Sequence, residues 1–223
     1  MPSRSPDPGA VIARALEIYR EHAGVLLPAA LALFAVQAVL AIALGGDLGV
    51  AVSLVSLVLG TFYQGMVVEL VRDVQDGRRD SSIGQLFASV TPVLATLLAV
   101  SVLFGLGVAI GFVLLILPGL ALMTIWAVTA PVVVVERTAV FRAFTRSQEL
   151  VRGNGWQVFA VILVVFVGLA IISALTAILT AGLGDVGSAL VSWLVTAATA
   201  PLSALTAAVL YFALRGPAGD VAP

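Results

Sequence analysis

Four arginines carry the chemistry most readily recognised in this sequence: Arg137, Arg142, Arg146 and Arg152. A guanidinium group is permanently charged and can hold a phosphate through two parallel hydrogen bonds. Near a membrane surface, anionic lipid headgroups attract each such residue by about 1 kcal/mol. The cluster therefore predicts contact with lipid headgroups or with a protein partner. The alternative is ordinary positive charge that sets the membrane topology and attracts lipid without selectivity.

The segment that carries this cluster has the pattern of an amphipathic helix on a membrane surface. Its apolar residues recur at helical spacing: Val140, Phe141, Phe144 and Val151. Three of the arginines share another face, on which Glu149 is the only acid. Because this apolar stripe is short and flanked by charge, it predicts an interfacial helix over about 138–152 rather than a membrane span.

A second group of polar residues lies within or at the ends of apolar stretches: Gln37, Tyr63, Gln64 and Glu69. An ionised residue at the centre of a membrane span costs at least about 2.5 kcal/mol and usually marks a transport pathway. Glu69 sits at a span end, where an ion pair with a nearby arginine is the simpler interpretation. Gln37 is expected to bond another helix. If the protein is a transporter, these four residues are its pathway candidates.

The usual catalytic and metal-binding patterns are absent from the sequence. The chain contains no cysteine and a single histidine, His22, so it offers neither a thiolate nor a pair of histidine ligands. Its one cluster of aspartates is interleaved with arginines after the second span, which predicts a solvated loop. We therefore predict a non-enzymatic protein with no catalytic residue, no metal site and no cofactor.

Composition identifies the class of protein. Apolar residues make up 61% of the 223 residues and charged residues only 10%, against roughly 45–50% and about 25% in an average soluble domain. So little polar surface cannot cover a water-soluble globule. A soluble enzyme and a nucleic-acid-binding domain are therefore excluded, and an all-α integral membrane protein is predicted.

Uncharged stretches near the length of about 20 residues needed for a helical crossing divide the chain into six spans in one membrane domain, 1–223. The predicted spans cover about 24–44, 48–70, 93–117, 119–135, 156–181 and 186–214. Amphipathic segments precede each pair of spans, at about 8–22, 82–91 and 138–152. The sequence thus predicts three units, each an interfacial helix followed by a hairpin of two spans. Duplication for stability and a transport cavity between the repeats are both open interpretations.

The arginines predict the orientation of these spans. All 11 basic residues are arginine, and they lie before span one, after spans two, four and six, and nowhere in the other loops. Because basic flanks stay in the cytoplasm, both termini are expected there, in a bacterial cytoplasmic membrane. Cleavage of the first span as a signal peptide is the alternative, which the long apolar run and the preceding Glu17 and Glu21 disfavour.

One quarter of the chain also resembles a known family. The matching residues are Leu117-Pro118-Gly119-Leu120, Trp126-Ala127, Pro131-Val132, Glu136, Ala143, Arg146-Ser147, Leu150, Arg152-Gly153 and Trp156. From about Leu115 to Phe166 the chain is similar to the membrane domain associated with bacterial glycerophosphoryl diester phosphodiesterases, and to related six-span bacterial proteins. In multidomain relatives a soluble barrel carries the catalytic residues. The 223 residues leave no room for that barrel, so the resemblance is not expected to bring phosphodiesterase activity.

Five of the matched positions have a physical interpretation as fold-defining residues. Pro118 and Gly119 predict a tight turn between the third and fourth spans. Pro131 is expected to loosen the end of the fourth span, and Glu136 and Arg146 are placed to pair where that span meets the following helix. Trp156 suits the membrane boundary.

Together these patterns predict a membrane accessory, scaffolding or lipid-interacting protein. A small transporter or permease-like protein with a cavity between the helical repeats is the alternative. The expected partners are membrane lipids, with a second copy of the chain or another membrane protein as a further partner, and no nucleic acid.

Overall fold

The structure is a computed structural model, and it describes residues 7–44, 49–77 and 83–216. Within these ranges the regular structure is helical throughout, with no strand. The helices are α1 Pro8–Glu21, α2 Ala23–Leu44, α3 Gly49–Gln75, α4 Ile83–Val90, α5 Leu94–Leu114, α6 Ile116–Ile125, α7 Thr129–Glu136, α8 Val140–Val151, α9 Gly155–Thr180 and α10 Gly184–Arg215. The predicted all-α class is confirmed.

Six stretches of the described residues are long and apolar enough to cross a membrane: Ala23–Leu40, Ser53–Gln75, Ile83–Leu114, Ile116–Glu136, Gly155–Thr180 and Val186–Arg215. They agree in number and order with the six predicted spans. The chain is therefore a multi-pass helical membrane protein. Residues 45–48, between the first two predicted spans, and residues 78–82, at the start of the predicted helix 82–91, lie outside the described residues.

Local sequence explains where the first helix begins. The Asp7 side chain accepts a hydrogen bond from the Gly9 backbone N–H at 3.1 Å, and Pro8 occupies the first helical position. A capping carboxylate followed by proline satisfies an N–H that would otherwise have no partner, and proline itself needs no such partner. Val11, Ala15 and Ile18 then form the buried face of α1.

The two spans of each unit have different surroundings. In the second spans, formed by α3, by α6 with α7, and by α10, 44% to 56% of residues are buried, against 11% to 22% in the first spans. The helices α3, α7 and α10 pack on one another, while α2, α5 and α9 pack on the outside of this group. The second spans therefore form an inner ring, and the first spans present apolar side chains outward, as lipid-facing helices do.

The short amphipathic helices close this ring in a cyclic order. Helix α4 of the second unit packs on α3 of the first, and α8 of the third unit packs on α7 of the second. Helix α1 of the first unit packs on α10 of the third. Each short helix thus lies on the preceding unit's second span. Three hairpins arranged in this way bury one continuous core rather than three separate cores.

The hairpin between the third and fourth spans differs from its prediction. The chain turns at Leu115, which has an extended backbone (φ −167°, ψ 154°), three residues before Pro118. Proline is tolerated in the first helical turn, where its missing N–H would be unpaired in any case, so α6 begins at Ile116 and runs through Pro118. The predicted turn at Pro118 and Gly119 is therefore wrong by three to four residues.

Gly119 shapes the hairpin by close contact instead. A Cβ at Gly119 would lie 2.6 Å from Phe112 Cγ, and one at Gly111 would lie 2.9 Å from the Gly119 Cα. Only glycine permits this approach of α5 and α6.

The fourth span is two helices rather than one. Helix α6 ends at Ile125, residues 126–128 form a turn, and α7 begins at Thr129. Pro131 lies buried in the first turn of α7. The predicted loosening therefore occurs on the N-terminal side of Pro131, near the middle of the span. A proline inside a continuous helix would leave one backbone carbonyl without its hydrogen bond, so the helix is interrupted before it.

Candidate functional site

Arg137 is held against the helix bundle by a buried carboxylate from another unit. Its Nη2 donates to Glu69 Oε1 at 2.5 Å, and its Nη1 donates to the backbone oxygen of Ser89 at 2.9 Å. Glu69 is only 5% exposed and also lies 3.6 Å from Arg72. Because α7 ends with Arg137 in the left-handed region (φ 53°), the side chain turns back toward α3 and α4. This arginine joins helices of the first and second units.

Arg146 makes the second such connection. Its Nε lies 3.3 Å from both carboxylate oxygens of Glu136, and its Nη1 lies 3.3 Å from Glu149. The fully buried Tyr211 donates its hydroxyl to Glu136 Oε1 at 2.9 Å. Burial would lower the pKa of the Arg146 guanidinium, but the Glu136 and Glu149 carboxylates outweigh it and raise that pKa above its ordinary value. Glu136 thereby ties α7 to α8 and α10.

These two connections form one structural feature, which we call the polar latch: Glu69, Glu136, Arg137, Arg146 and Tyr211. Its two carboxylates, on Glu69 and Glu136, and its one hydroxyl, on Tyr211, lie near the C-terminal ends of the inner-ring spans. Its ion pairs and hydrogen bonds cross between units. The latch therefore fixes how the three units sit against one another at one end of the bundle.

The other two arginines of the predicted cluster are in a different situation. Arg142 and Arg152 are exposed, and neither makes an ion pair within the described part of the chain. The structure therefore divides the four-arginine cluster in half. Two guanidinium groups hold the bundle together, and two face outward.

The apolar face of α8 also differs from the predicted one. Its buried residues are Ala143, Ser147 and Val151, whereas Phe141 is 79% exposed. Ser147 is accommodated because its hydroxyl donates to the Ile125 backbone oxygen at 2.9 Å, at the end of α6. The small residues let α8 approach the bundle closely, which leaves Phe141 outside beside Arg142. Of the predicted apolar residues, Val151 is buried, Val140 and Phe144 are half-buried, and Phe141 remains exposed.

Trp156 also lies at the surface. Its side chain is 78% exposed at the start of α9, and its ring stacks on Phe159 with centroids 5.5 Å apart. This is the exposure that an aromatic residue at a membrane boundary would have.

The four pathway candidates do not share one route through the described residues. Tyr63 donates its hydroxyl to the Leu26 backbone oxygen at 3.1 Å and packs on Phe34. Gln37 lines a small cavity of about 110 Å³ between α2 and α10. Glu69 belongs to the latch, and Gln64 lines a different cavity. The structure gives these four residues no continuous pathway.

The cavity that includes Gln64 is larger, with a volume of about 350 Å³, and we call it the Gln64 cavity. It lies between α3, α5 and the break between α6 and α7. Its walls are Ser56, Leu57, Gly60, Thr61, Gln64, Val100, Ser101, Phe104, Trp126, Ala127, Thr129 and Ala130. Ser101 and Thr129 were missed in the sequence because single hydroxyl residues in an apolar span carry no recognisable pattern.

Tyr211 is the other site residue that the sequence did not indicate. A weak signal exists, since Val67-Val68-Glu69 and Val134-Val135-Glu136 repeat at the ends of two second spans. The third unit has Val209-Leu210-Tyr211 at a similar place. Comparison of the three span ends would have indicated a recurring polar position.

Comparison with known proteins gives one partial relative. A UPF0259 membrane protein of Pectobacterium carotovorum subsp. carotovorum (strain PC1) is 34% identical over 99 residues, which cover 44% of this chain and 39% of that protein. The chain thus matches about two fifths of its relative's length. No protein-family model matches the chain, and no solved structure does. The similarity supports a membrane protein, and the relative's name specifies no reaction.

Proposed function

We propose that this protein is a non-enzymatic accessory protein of a bacterial cytoplasmic membrane that binds anionic lipid headgroups through α8. The observation that carries the proposal is the pairing of exposed Phe141 with exposed Arg142 on a helix too short to cross a membrane. An interfacial helix inserts an apolar ring at the headgroup boundary and places cations beside the phosphates. Arg152 and the exposed Trp156 follow in the chain.

The division of the arginine cluster supports this assignment. Arg137 and Arg146 are occupied by Glu69 and Glu136, so their charge is used within the protein. Arg142 has no such partner among the described residues and keeps its guanidinium available for a phosphate. The proposed orientation, with both termini in the cytoplasm, places this surface at the anionic inner leaflet.

A charge-preserving substitution tests headgroup recognition. In the double variant Arg142→Lys, Arg152→Lys the positive charge remains, but the bidentate geometry is lost. Native mass spectrometry should show a reduced preference for phosphatidylglycerol over phosphatidylcholine, by about threefold or about 0.7 kcal/mol, because lysine keeps its charge and one hydrogen bond to the phosphate. The matched control is Arg20→Lys, an exposed arginine at the end of α1.

Two results would decide against recognition by α8. One is an unchanged lipid preference in the double lysine variant, which would leave these arginines as topology-setting charge. The other is an equal loss in Arg20→Lys, which would show that any exposed arginine contributes. A scaffolding role would appear in the same spectra as a protein partner or a second copy that stays bound.

The likeness to the phosphodiesterase-associated membrane domain is retained as a proposal about ancestry. Its matched residues include the latch members Glu136 and Arg146 and the close-contact residue Gly119. Such residues stabilise a fold. They support a shared architecture and not a shared reaction.

A further inference from the structure

The Gln64 cavity lies at the depth where a membrane protein has least access to water. Thr61 is close to the middle of α3, Phe104 close to the middle of α5, and Trp126 midway along the fourth span. Three separate helices therefore contribute lining side chains near the centre of their spans. In hydrocarbon, a polar group without a hydrogen bond costs several kcal/mol.

Most polar groups around this cavity have partners. Thr61 donates its hydroxyl to Ser101 at 3.2 Å, and Thr129 donates to the Trp126 backbone oxygen at 2.7 Å. Gln64 is the exception, because its carboxamide makes no hydrogen bond to any described residue. An amide has two donors and an oxygen acceptor. At this depth, a bound molecule that hydrogen-bonds to the amide would remove the cost of leaving it unpaired.

The break in the fourth span forms one wall of the cavity. Residues 126–128 form a turn between α6 and α7, and Trp126, Ala127, Thr129 and Ala130 line the cavity there. Interrupted helices near the middle of a membrane are tolerated where they line a cavity, and they are a common way to build a ligand site.

The other cavities of the described residues differ from the Gln64 cavity in depth, pairing or size. The groove between α9 and α10 is lined by serines and threonines, but Thr176, Thr180 and Thr199 each donate to a carbonyl of their own helix. The cavity beside Asp7 and Arg215 lies at the ends of helices, where water is available. The cavity between α2 and α10 also contains an amide, Gln37, without a hydrogen bond to a described residue, but its volume is only about 110 Å³. Among these cavities, the Gln64 cavity alone combines mid-span depth, an unpaired amide and a volume of about 350 Å³.

We propose that the Gln64 cavity binds a small neutral molecule that carries an amide or hydroxyl group on an apolar or aromatic body. No acidic, basic or histidine side chain is among its lining residues, so a charged ligand would be desolvated without a counter-charge. Gln64 supplies the hydrogen bonds, while Phe104 and Trp126, with ring centroids 6.4 Å apart, supply aromatic contacts. The volume of about 350 Å³ falls at the lower end of the range for ligand pockets, roughly 300–1,000 Å³.

Three probes of similar size and different charge test this site: benzamide, benzoate and benzylamine. Titration of the full chain in detergent micelles is followed by tryptophan fluorescence, since Trp126 lines the cavity. Benzamide should give a saturable change, whereas benzoate and protonated benzylamine should not. The saturable change should disappear in Trp126→Phe, which identifies the reporting ring.

The variants locate the hydrogen bonds. Gln64→Leu should weaken benzamide binding about tenfold, because a paired amide hydrogen bond is lost. Ser101→Ala, a milder change in the same wall, should weaken it about threefold. Gln37→Leu is the matched control, because that glutamine lines the smaller cavity between α2 and α10, and it should bind benzamide as the unaltered chain does.

Three outcomes would overturn the proposal. A purely linear response to benzamide, as partition into micelles produces, would show that the cavity does not bind it. Benzoate binding as tightly as benzamide would reject a site for neutral ligands. Equal benzamide affinity in Gln64→Leu and Gln37→Leu, with both variants folded, would place the probe elsewhere.

Discussion

The polar latch and the Gln64 cavity both contain several polar side chains, but the two regions differ in how those side chains are paired. In the latch, the carboxylates of Glu69 and Glu136 face guanidinium groups, and Tyr211 completes the second pair. In the cavity, the Gln64 amide faces open space. Paired groups stabilise one arrangement of helices, whereas an unpaired group at membrane depth is a cost that only an occupant removes. Pairing therefore separates residues that hold the fold from residues that can bind.

Single-cysteine labelling gives the largest expected effect, because each site is either labelled from outside the cell or not labelled at all. It shows on which side of the membrane the polar latch lies. The chain has no native cysteine. Gly182→Cys, between α9 and α10, should be labelled from outside intact cells, whereas Gln148→Cys on α8 should be labelled only after the cells are opened. External labelling of Gln148→Cys would place the latch end outside and overturn the proposed orientation.

Removing one partner of the latch should give the largest change in stability. Arg137→Ala leaves the nearly buried Glu69 with only Arg72, 3.6 Å away. The guanidinium is itself 39% exposed, so the loss is that of a buried carboxylate left short of one partner, which should lower the free energy of unfolding by about 2 kcal/mol. Arg142→Ala is the control, since its side chain is exposed. Unfolding by SDS titration of mixed micelles measures both, and similar losses in the two would show that Arg137 is not part of a stabilising contact.

A smaller effect is expected from a change that moves the cavity wall and leaves the latch alone. A Cβ at Gly107 would lie 2.5 Å from Trp126 Cζ3, and that ring is held by Phe104 and Phe144. Gly107→Ala should therefore cost about 1–2 kcal/mol and shift the tryptophan emission. Gly105→Ala meets nothing within 4 Å and is the matched control. Equal stability and emission in both variants would contradict the packing of Trp126 on α5.

The smallest change in stability is expected for Gln64→Leu, which tests whether Gln64 stabilises the fold as the latch residues do. Gln64 makes no hydrogen bond to a described residue, so Gln64→Leu should leave the free energy of unfolding within about 0.5 kcal/mol of the original chain, or raise it. The SDS titration used for Arg137→Ala measures this too. A loss of 2 kcal/mol or more, on the scale of a broken buried hydrogen bond, would mean that Gln64 belongs with the structural residues and not with a binding site.

The accuracy of the sequence predictions depended on the range of the interactions involved. Asp7 and Pro8 start α1 because capping involves neighbouring residues, and the spans follow from uninterrupted apolar runs. The hairpin at Pro118 was misplaced because proline suits the first turn of a helix as well as a loop, and only packing at Gly111 selects between them. For α8, periodicity predicted which residues are apolar, but only packing selected Ala143, Ser147 and Val151 for the bundle and left Phe141 exposed.

By itself the sequence determined the membrane class, the helical secondary structure and the number of spans. These follow from composition and from runs of about 20 apolar residues, since a bilayer imposes the same requirement on any chain that crosses it. Tertiary structure alone decided that the second spans form the inner ring, that Arg137 meets Glu69 while Arg142 is exposed, and that Gln64 meets Ser101 and Trp126 around one cavity. Those outcomes depend on contacts between residues tens of positions apart, and no local pattern encodes which partner each residue meets.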